Sequence, residues 1–283
     1  MATVKFWTGG ASDGDFSNLS NWNEATAFAN SDTYIIGATN QNITAGLTHA
    51  YTGITLIVTE GYGGSIGSGA SPLSFSSVAA LTYAGRGAFA KFGSSGTVTT
   101  ASCDHVSGFV YIATGTWTEL TNSMGNMDIA AAAVVTRLNN IGGTVTAGYN
   151  GTAFTNLFSG GTTTFRRNAT NAYIMGGRTV QENNGMSNFT LIATILQVHR
   201  GATYNKRSSG AETAATQVFP GATYTVAGNT GGAAGGGATT VDVGPVVVWA
   251  GSKAVFTGVP GITFDVDQVT YKGANYGAVG QAD

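Results

Sequence analysis

The chain has 283 residues, a formal net charge of −2 and a single cysteine, Cys103. This length allows one large domain or two small ones, and the lone cysteine excludes an intrachain disulfide framework. The near-neutral charge excludes a global basic field of the kind that holds nucleic acid, and no apolar run approaches the ~18 residues of a membrane-spanning helix.

The composition favours strands and turns over helices. Charged residues make up 9% of the chain, whereas roughly 25% is typical of globular proteins. Glycine accounts for 43 residues, about twice its usual share. Helix surfaces are normally filled with Glu, Lys, Arg and Gln, which are scarce here. We therefore predict an all-β protein.

Residues 1–48 are predicted to form a small N-terminal β cap, or attachment segment. They contain two of the four tryptophans, Trp7 and Trp22, and no repeat. Stacked strands leave unpaired edges at their ends, and a cap over such an edge prevents polymerisation. Residues 49–283 are predicted to form a β-solenoid. Its upstream strands are expected at residues 56–58, 81–83, 110–112 and 118–120.

A loose repeat dominates the second half of the chain, where short β-forming segments end at a glycine and another β segment follows. The last glycines of these units are Gly143, Gly161, Gly177, Gly201, Gly221, Gly251 and Gly273. Their spacing of about 20 residues is typical of one coil per repeat, whereas a hairpin sandwich shows turn signals about every 8–12 residues. We therefore predict a single-stranded parallel β-solenoid, or β-helix, of about ten coils.

Each of these glycines is expected to mark a corner, where the backbone requires positive φ or close approach. Between corners, alternate side chains of each strand should point into the core. The longest step between glycines contains a Gly-rich run at residues 228–237, which we interpret as a surface loop.

The N-terminal stretch carries a recognisable pattern of residues. It reads Phe-Trp-Thr-Gly-Gly at 6–10, Gly-Asp-Phe-Ser at 14–17, Asn-Trp at 21–22 and then Asp32, followed by a Gly-rich segment at 56–67. With the repeats behind it, this pattern resembles the β-solenoid virion structural proteins of tailed bacteriophages. A similar opening begins some autotransporter-type repeat proteins. The resemblance covers nearly the whole chain, implies a virion protein such as a head decoration (cement) protein, and supplies no catalytic residues.

Half of the twelve basic residues lie within 42 positions, where Glu182 is the only acidic residue. These basic residues are Arg166, Arg167, Arg178, Arg200, Lys206 and Arg207. Stacked coils are expected to gather several of them on one flank, which is either a docking patch for an acidic partner surface or an ordinary solvated face. With Trp7 and Trp22, they form the set of candidate partner-binding residues.

The sequence predicts no catalytic residue, no cofactor-binding site and no metal site. Cys103 and His105 flank Asp104, but neighbouring side chains of a strand point to opposite faces. Asp265 and Asp267 would share one face of a strand, yet they lack an evident third partner for Ca²⁺ or for acid–base work. We therefore expect a protein that is not an enzyme and needs no cofactor.

The resemblance implies a bacteriophage capsid decoration protein, which we expect to stabilise the head by binding the major capsid protein or other virion proteins. The low charge suits a large subunit interface, so we expect a homo-oligomer, with a homotrimer as the natural choice. The alternative is a receptor-binding tail fibre or spike, or an adhesin-type β-helix protein; a polysaccharide-degrading β-helix enzyme ranks behind both. The expected location is the virion, after synthesis in the host cytoplasm, with no nucleic-acid or membrane partner.

Overall fold

The protein is a nearly all-β parallel β-solenoid of about ten turns, which confirms the predicted fold class. The structure, a computed structural model, describes residues 2–24, 26–148, 152–182, 192–207, 215–228, 240–258, 263–273 and 278–282. Within these ranges, no helix is long and apolar enough to cross a membrane. The chain divides into two compact units, Met1–Asn139 with Gly143–Val145 and Asn140–Gly142 with Thr146–Asp283.

The first unit is built from strands of 2 to 16 residues, most of which pair in parallel. They are β1 Val4–Phe6, β2 Thr33–Ile36, β3 Thr48–His49, β4 Ile54–Val58, β5 Leu73–Phe75, β6 Val78–Tyr83, β7 Phe89–Ser94, β8 Thr97–Ile112, β9 Gly115–Ile129 and β10 Ala133–Asn140, with β11 Thr144–Ala147 at the unit boundary. Strands β1, β2, β4, β6, β8 and β9 pair in parallel in that order, and β3, β5 and β7 form a second parallel run. The four strands expected upstream lie within β4, β6, β8 and β9, so those predictions are confirmed.

Parallel stacking starts inside the segment predicted as a cap. β1 pairs with β2, and the chain between these two strands makes an excursion that covers the outer edge of β1. Phe6 donates its backbone N–H to Asn23 Oδ1 at 2.8 Å and accepts a hydrogen bond from the Asn23 N–H at 2.9 Å. The buried Lys5 ammonium donates to the Thr26 carbonyl at 2.9 Å. Such cover satisfies backbone groups that would otherwise recruit a foreign strand.

Aromatic rings fill the space beneath this excursion. Phe16 is completely buried and contacts the rings of Trp22 and His49, with centroids 4.9 Å away in both cases. Trp7 meets Trp22 edge to face at 5.2 Å, and His49 stacks on Phe75 at 5.2 Å. Rings of this size bury the most apolar surface per residue, so the cluster is the main source of stability at this end of the first unit.

The second unit is simpler, with two principal strands in each coil. The first run contains β12 Phe154–Ser159, β14 Ala169–Ile174, β16 Ile192–Val198, β18 Ala215–Val218, β21 Val246–Trp249 and β24 Val269–Lys272, and the second contains β13 Thr162–Phe165, β15 Arg178–Glu182, β17 Thr203–Arg207, β19 Thr223–Gly228, β22 Lys253–Gly258 and β25 Ala278–Ala282. Every strand pairs in parallel with the next member of its run.

Register places like residues above one another in the core of this unit. One inward column contains Leu157, Ala172, Leu196, Thr216 and Val246, and all five are at most 1% exposed. Fully burying a Val or Leu side chain contributes about 1.5–3 kcal/mol. The alternation of buried and half-buried positions along these strands is the period of two expected from the sequence.

The predicted corner glycines turn the chain from the first run into the second. φ is positive at Gly177, Gly201, Gly221, Gly251 and Gly273, a region that L-residues with a Cβ rarely occupy. Gly161, which was also predicted as a corner, does not have positive φ. The corners also stack, since the N–H of Gly201 donates to the carbonyl of Gly221, and the N–H of Gly221 to that of Gly251. Gly143 is required for a different reason, the close approach of a neighbouring strand. A Cβ there would lie 2.5 Å from the carbonyl oxygen of Gly125.

One small sheet was not expected from the repeat. β20 Thr240–Val243 and β23 Thr263–Val266 pair in parallel outside the main runs. The step between Gly221 and Gly251 is long enough to hold an additional strand, and the next coil supplies its partner. The predicted surface loop at residues 228–237 lies outside the described residues, apart from Gly228.

Candidate partner-binding surface

Trp7 and Trp22 are core residues of the first unit. They are only 6% and 4% exposed, and the Trp22 indole N–H donates to the Phe16 carbonyl at 2.9 Å. Their rings contact Phe16 and each other rather than solvent. The expectation that these two tryptophans contact a partner is therefore corrected, because the aromatic cluster of the same chain already covers them.

Two of the six clustered basic residues are also buried. Arg167 is 1% exposed; its guanidinium lies 5.1 Å from the centroid of the Phe154 ring, and burial lowers its pKa to about 10. Lys206 is completely buried and occupies the same inward column as Phe165 and Gln181. Neither side chain can contribute charge to a docking patch on the surface.

The remaining clustered cations differ in exposure and in local pairing. Arg166 is held by Glu182, with 3.0 Å between Arg166 Nη2 and Glu182 Oε2, so part of its charge is neutralised locally. Arg178 and Arg200 are exposed. The side chain of Arg207 lies outside the described part of the structure. Of the five side chains of this set that the structure describes, two are thus exposed without a local ion pair, and burial and local pairing account for the other three.

A column of half-buried and exposed side chains follows the corner of the second unit instead. We call Met175, His199, Phe219 and Trp249 the corner column. Each of them directly follows a residue of one register column, Ile174, Val198, Val218 or Val248, and lies just before the corner. Met175 is 51% exposed, and the other three are half-buried. Outward positions of a strand normally carry polar residues, so an apolar column along one edge indicates a contact surface.

The rings of this column stack on one another along the coils. His199 and Phe219 lie 4.7 Å apart between centroids with their planes 20° from parallel, and Phe219 and Trp249 lie 6.1 Å apart at 13°. The Lys272 ammonium covers the far face of the column at 5.5 Å from the Trp249 ring. Burial lowers the pKa of His199, which favours the neutral ring at pH 7. Phe219 and Trp249 are therefore covered on both ring faces and present their edges.

Cations surround the corner column. Arg200 directly follows His199, and Lys272 continues the column beyond Trp249. Across the corner, Arg178 and Lys253 begin β15 and β22. All four are exposed. The column has a signal in the sequence, because an apolar or aromatic residue stands two positions before Gly177, Gly201, Gly221 and Gly251. Composition and net charge do not reveal this spacing.

The residues considered for chemistry do not come together. Cys103 is completely buried, and burial raises its pKa to about 12, whereas Asp104 is exposed, as alternation predicted. The side chains of His105 and Asp265 lie outside the described part, and Asp267 follows the end of β23 in a bend. Among the side chains that the structure describes, no three His, Cys, Asp or Glu residues form a group able to hold a metal ion.

One shallow cleft in the first unit brings two acidic residues together. It is lined by Glu60, Ala84, Asp104 and Met124. Glu60 forms an ion pair with Arg86, and both side chains are more than half exposed. A general acid of this kind needs a carboxyl group held in a buried, apolar environment. Glu60 is exposed and ion-paired, and Asp104 is exposed, so neither carboxyl group has that environment.

The geometry thus leaves the corner column as the strongest candidate site of the second unit. Comparisons with protein-family models, with curated proteins and with solved structures gave no match.

Proposed function

We propose that this chain is a non-enzymatic structural protein of a bacteriophage particle, which decorates the head by binding the major capsid protein. The observation that carries the proposal is the corner column, an apolar row at a corner of the second unit with exposed cations on both sides. Apolar surface of this kind on a soluble domain marks interaction sites. The bacteriophage particle enters this proposal through the resemblance of the N-terminal pattern and the repeats to virion β-solenoid proteins.

The solenoid suits such a role for a physical reason. Parallel pairing repeats side chains about 4.8 Å apart along each column, and the stacked rings fix the positions of their neighbours. A surface ordered in this way loses little conformational entropy when a partner binds, which favours attachment over turnover.

We also propose that the protein acts as a homo-oligomer, with a trimer as the first assignment. Only 9% of its residues are charged, and buried subunit interfaces are depleted of charge in the same way. Sedimentation equilibrium of the purified chain measures this directly, and a monomer at all concentrations removes the oligomer from the proposal.

The decisive experiment counts copies of the chain on particles. Quantitative mass spectrometry of purified virions should give a fixed ratio of this chain to the major capsid protein, and heads that lack the chain should rupture at lower temperature. A few copies per virion, together with a block of adsorption by the purified protein, would assign it to a tail fibre or spike. Release of reducing sugar from polysaccharide would make it an enzyme instead.

A further inference from the structure

We infer that the corner column and its neighbouring cations form a docking site for a protein surface that is apolar at its centre and acidic around it. The inference rests on the proposed attachment function and adds the location of the site and the chemistry of the partner. All residues involved belong to the second unit.

The arrangement of the rings in the corner column indicates a ligand with apolar side chains. Phe219 is stacked between His199 at 4.7 Å and Trp249 at 6.1 Å, and Lys272 covers Trp249. Recognition of a nucleic acid base or a sugar ring requires a free aromatic face on which the ligand can stack. Phe219 and Trp249 offer edges instead, and beside them lies the exposed Met175, whose thioether adapts to irregular apolar surfaces. Apolar side chains of another protein are the ligands that suit such edges.

The exposed charges around the corner column indicate that the ligand is acidic. Arg178, Arg200, Lys253 and Lys272 are exposed, whereas the acidic side chains that the structure describes in this unit are Glu182 and Asp267. Glu182 is already paired with Arg166. Complementary potentials bring partners together and like charges separate them. A second copy of this chain would bring the same four cations against themselves, so an acidic partner of different sequence is the better occupant.

The chain carries its own reporter of this site. Three of the four tryptophans, Trp7, Trp22 and Trp117, are at most 6% exposed, and Trp249 in the corner column is half-buried. Acrylamide should therefore quench mainly Trp249, and a ligand that covers the column should protect that emission. The readout needs no label on the protein.

The probe is a synthetic peptide of alternating glutamate and leucine, with the matching lysine–leucine peptide and an oligo-deoxythymidine as comparisons. We expect the glutamate peptide to protect Trp249 and to bind less tightly as salt rises. Phe219→Gln should weaken this binding roughly tenfold or more. The variant should fold, because Gln197 and Gln217 occupy outward positions of the neighbouring column.

Two further variants separate charge from apolar contact. The double variant Arg200→Gln with Lys253→Gln should weaken binding and flatten its salt dependence, because fewer ion pairs form. Gln217→Thr, an outward position beside the column, should leave the affinity within about twofold of the unmodified chain. Circular dichroism and melting curves for each variant confirm that the fold is retained.

Several outcomes overturn the inference. The lysine peptide could bind as tightly as the glutamate peptide, or the oligonucleotide could bind more tightly than it. Phe219→Gln could bind the glutamate peptide with unchanged affinity. Self-association of the chain that Phe219→Gln abolishes would assign the column to a second copy. Particle binding distinguishes the two proposals. A chain absent from virions that still binds the glutamate peptide through the column refutes the decoration role alone, whereas variants that attach to particles as well as the unmodified chain refute the docking site alone.

Discussion

Two corner glycines of the second unit provide a direct test of how tightly the coils are stacked. Gly177 and Gly201 both have positive φ, +59° and +76°. A Cβ on Gly177 would lie 2.3 Å from the carbonyl oxygen of Gly161 in the neighbouring coil, whereas a Cβ on Gly201 would meet no atom within 4 Å. Replacing each with alanine therefore adds the same methyl group to two corners that differ in the space available.

The magnitudes follow from two costs. Left-handed φ costs an alanine about 1–2 kcal/mol, and the reduced entropy of the unfolded chain offsets about 0.4–1 kcal/mol of this. Gly201→Ala should thus lose about 1 kcal/mol of unfolding free energy. Gly177→Ala must also displace a backbone carbonyl, which adds about 1–3 kcal/mol.

Urea unfolding followed by circular dichroism measures this difference. With an m-value of about 3 kcal/mol per M, the midpoint should fall by about 0.3 M for Gly201→Ala and by about 1 M for Gly177→Ala. Gly251→Ala, another open corner, is the matched control and should behave like Gly201→Ala. Equal midpoints for Gly177→Ala and Gly201→Ala would refute the close stacking of Gly177 on Gly161.

Three further predictions concern the first unit. Phe16→Ala removes the ring at the centre of the aromatic cluster and should cost about 3–5 kcal/mol, seen as a lower melting temperature in calorimetry; an unchanged melting temperature would show that the cluster is not a packed core. The Cys103 thiol, whose pKa burial raises to about 12, should not react with a chromogenic disulfide at pH 8 until denaturant is added, and fast reaction of the native protein contradicts its burial. Burial also lowers the pKa of His49 below its ordinary value of 6.5, against the opposing effects of the Gly46 backbone and the Asp15 charge. Because the unfolded chain then binds more protons, stability should be constant above about pH 7 and decline as pH falls through 6.5, and the decline should be smaller in His49→Phe.

The repeat of the second unit was predictable because corners have a strict backbone requirement. Positive φ selects glycine, so Gly201, Gly221 and Gly251 identify the coils even where the steps between them vary. The first unit has no such regular spacing. Its positive φ values fall at irregular positions such as Gly67, Gly108 and Gly125, and its coils could be located only through individual strands.

The distribution of charge in the sequence predicted the site less well than the glycine spacing predicted the repeat. Lys206 lies two residues after the buried Tyr204 in the same strand, and strand alternation places residues at i and i+2 on the same face, so its burial was predictable. Arg167 lies beyond the end of β13, in a bend, where alternation does not predict which side chains are buried. The pairing of Arg166 with Glu182 depends on the register between β13 and β15, which the sequence did not specify. The corner column likewise becomes evident only when the register aligns His199, Phe219 and Trp249.

The sequential pairing of strands within each unit has a consequence for how the chain is made. In the second unit, register partners lie between 15 residues apart, as for Leu157 and Ala172, and 30 residues apart, as for Thr216 and Val246. A coil leaving the ribosome can therefore settle on its completed predecessor before the next one is translated. In the first unit, the segment around Asn23 lies between β1 and β2 in the chain, so it can cover the outer edge of β1 as soon as these two strands pair. Each added coil would then cover the open strand edge of the coil before it.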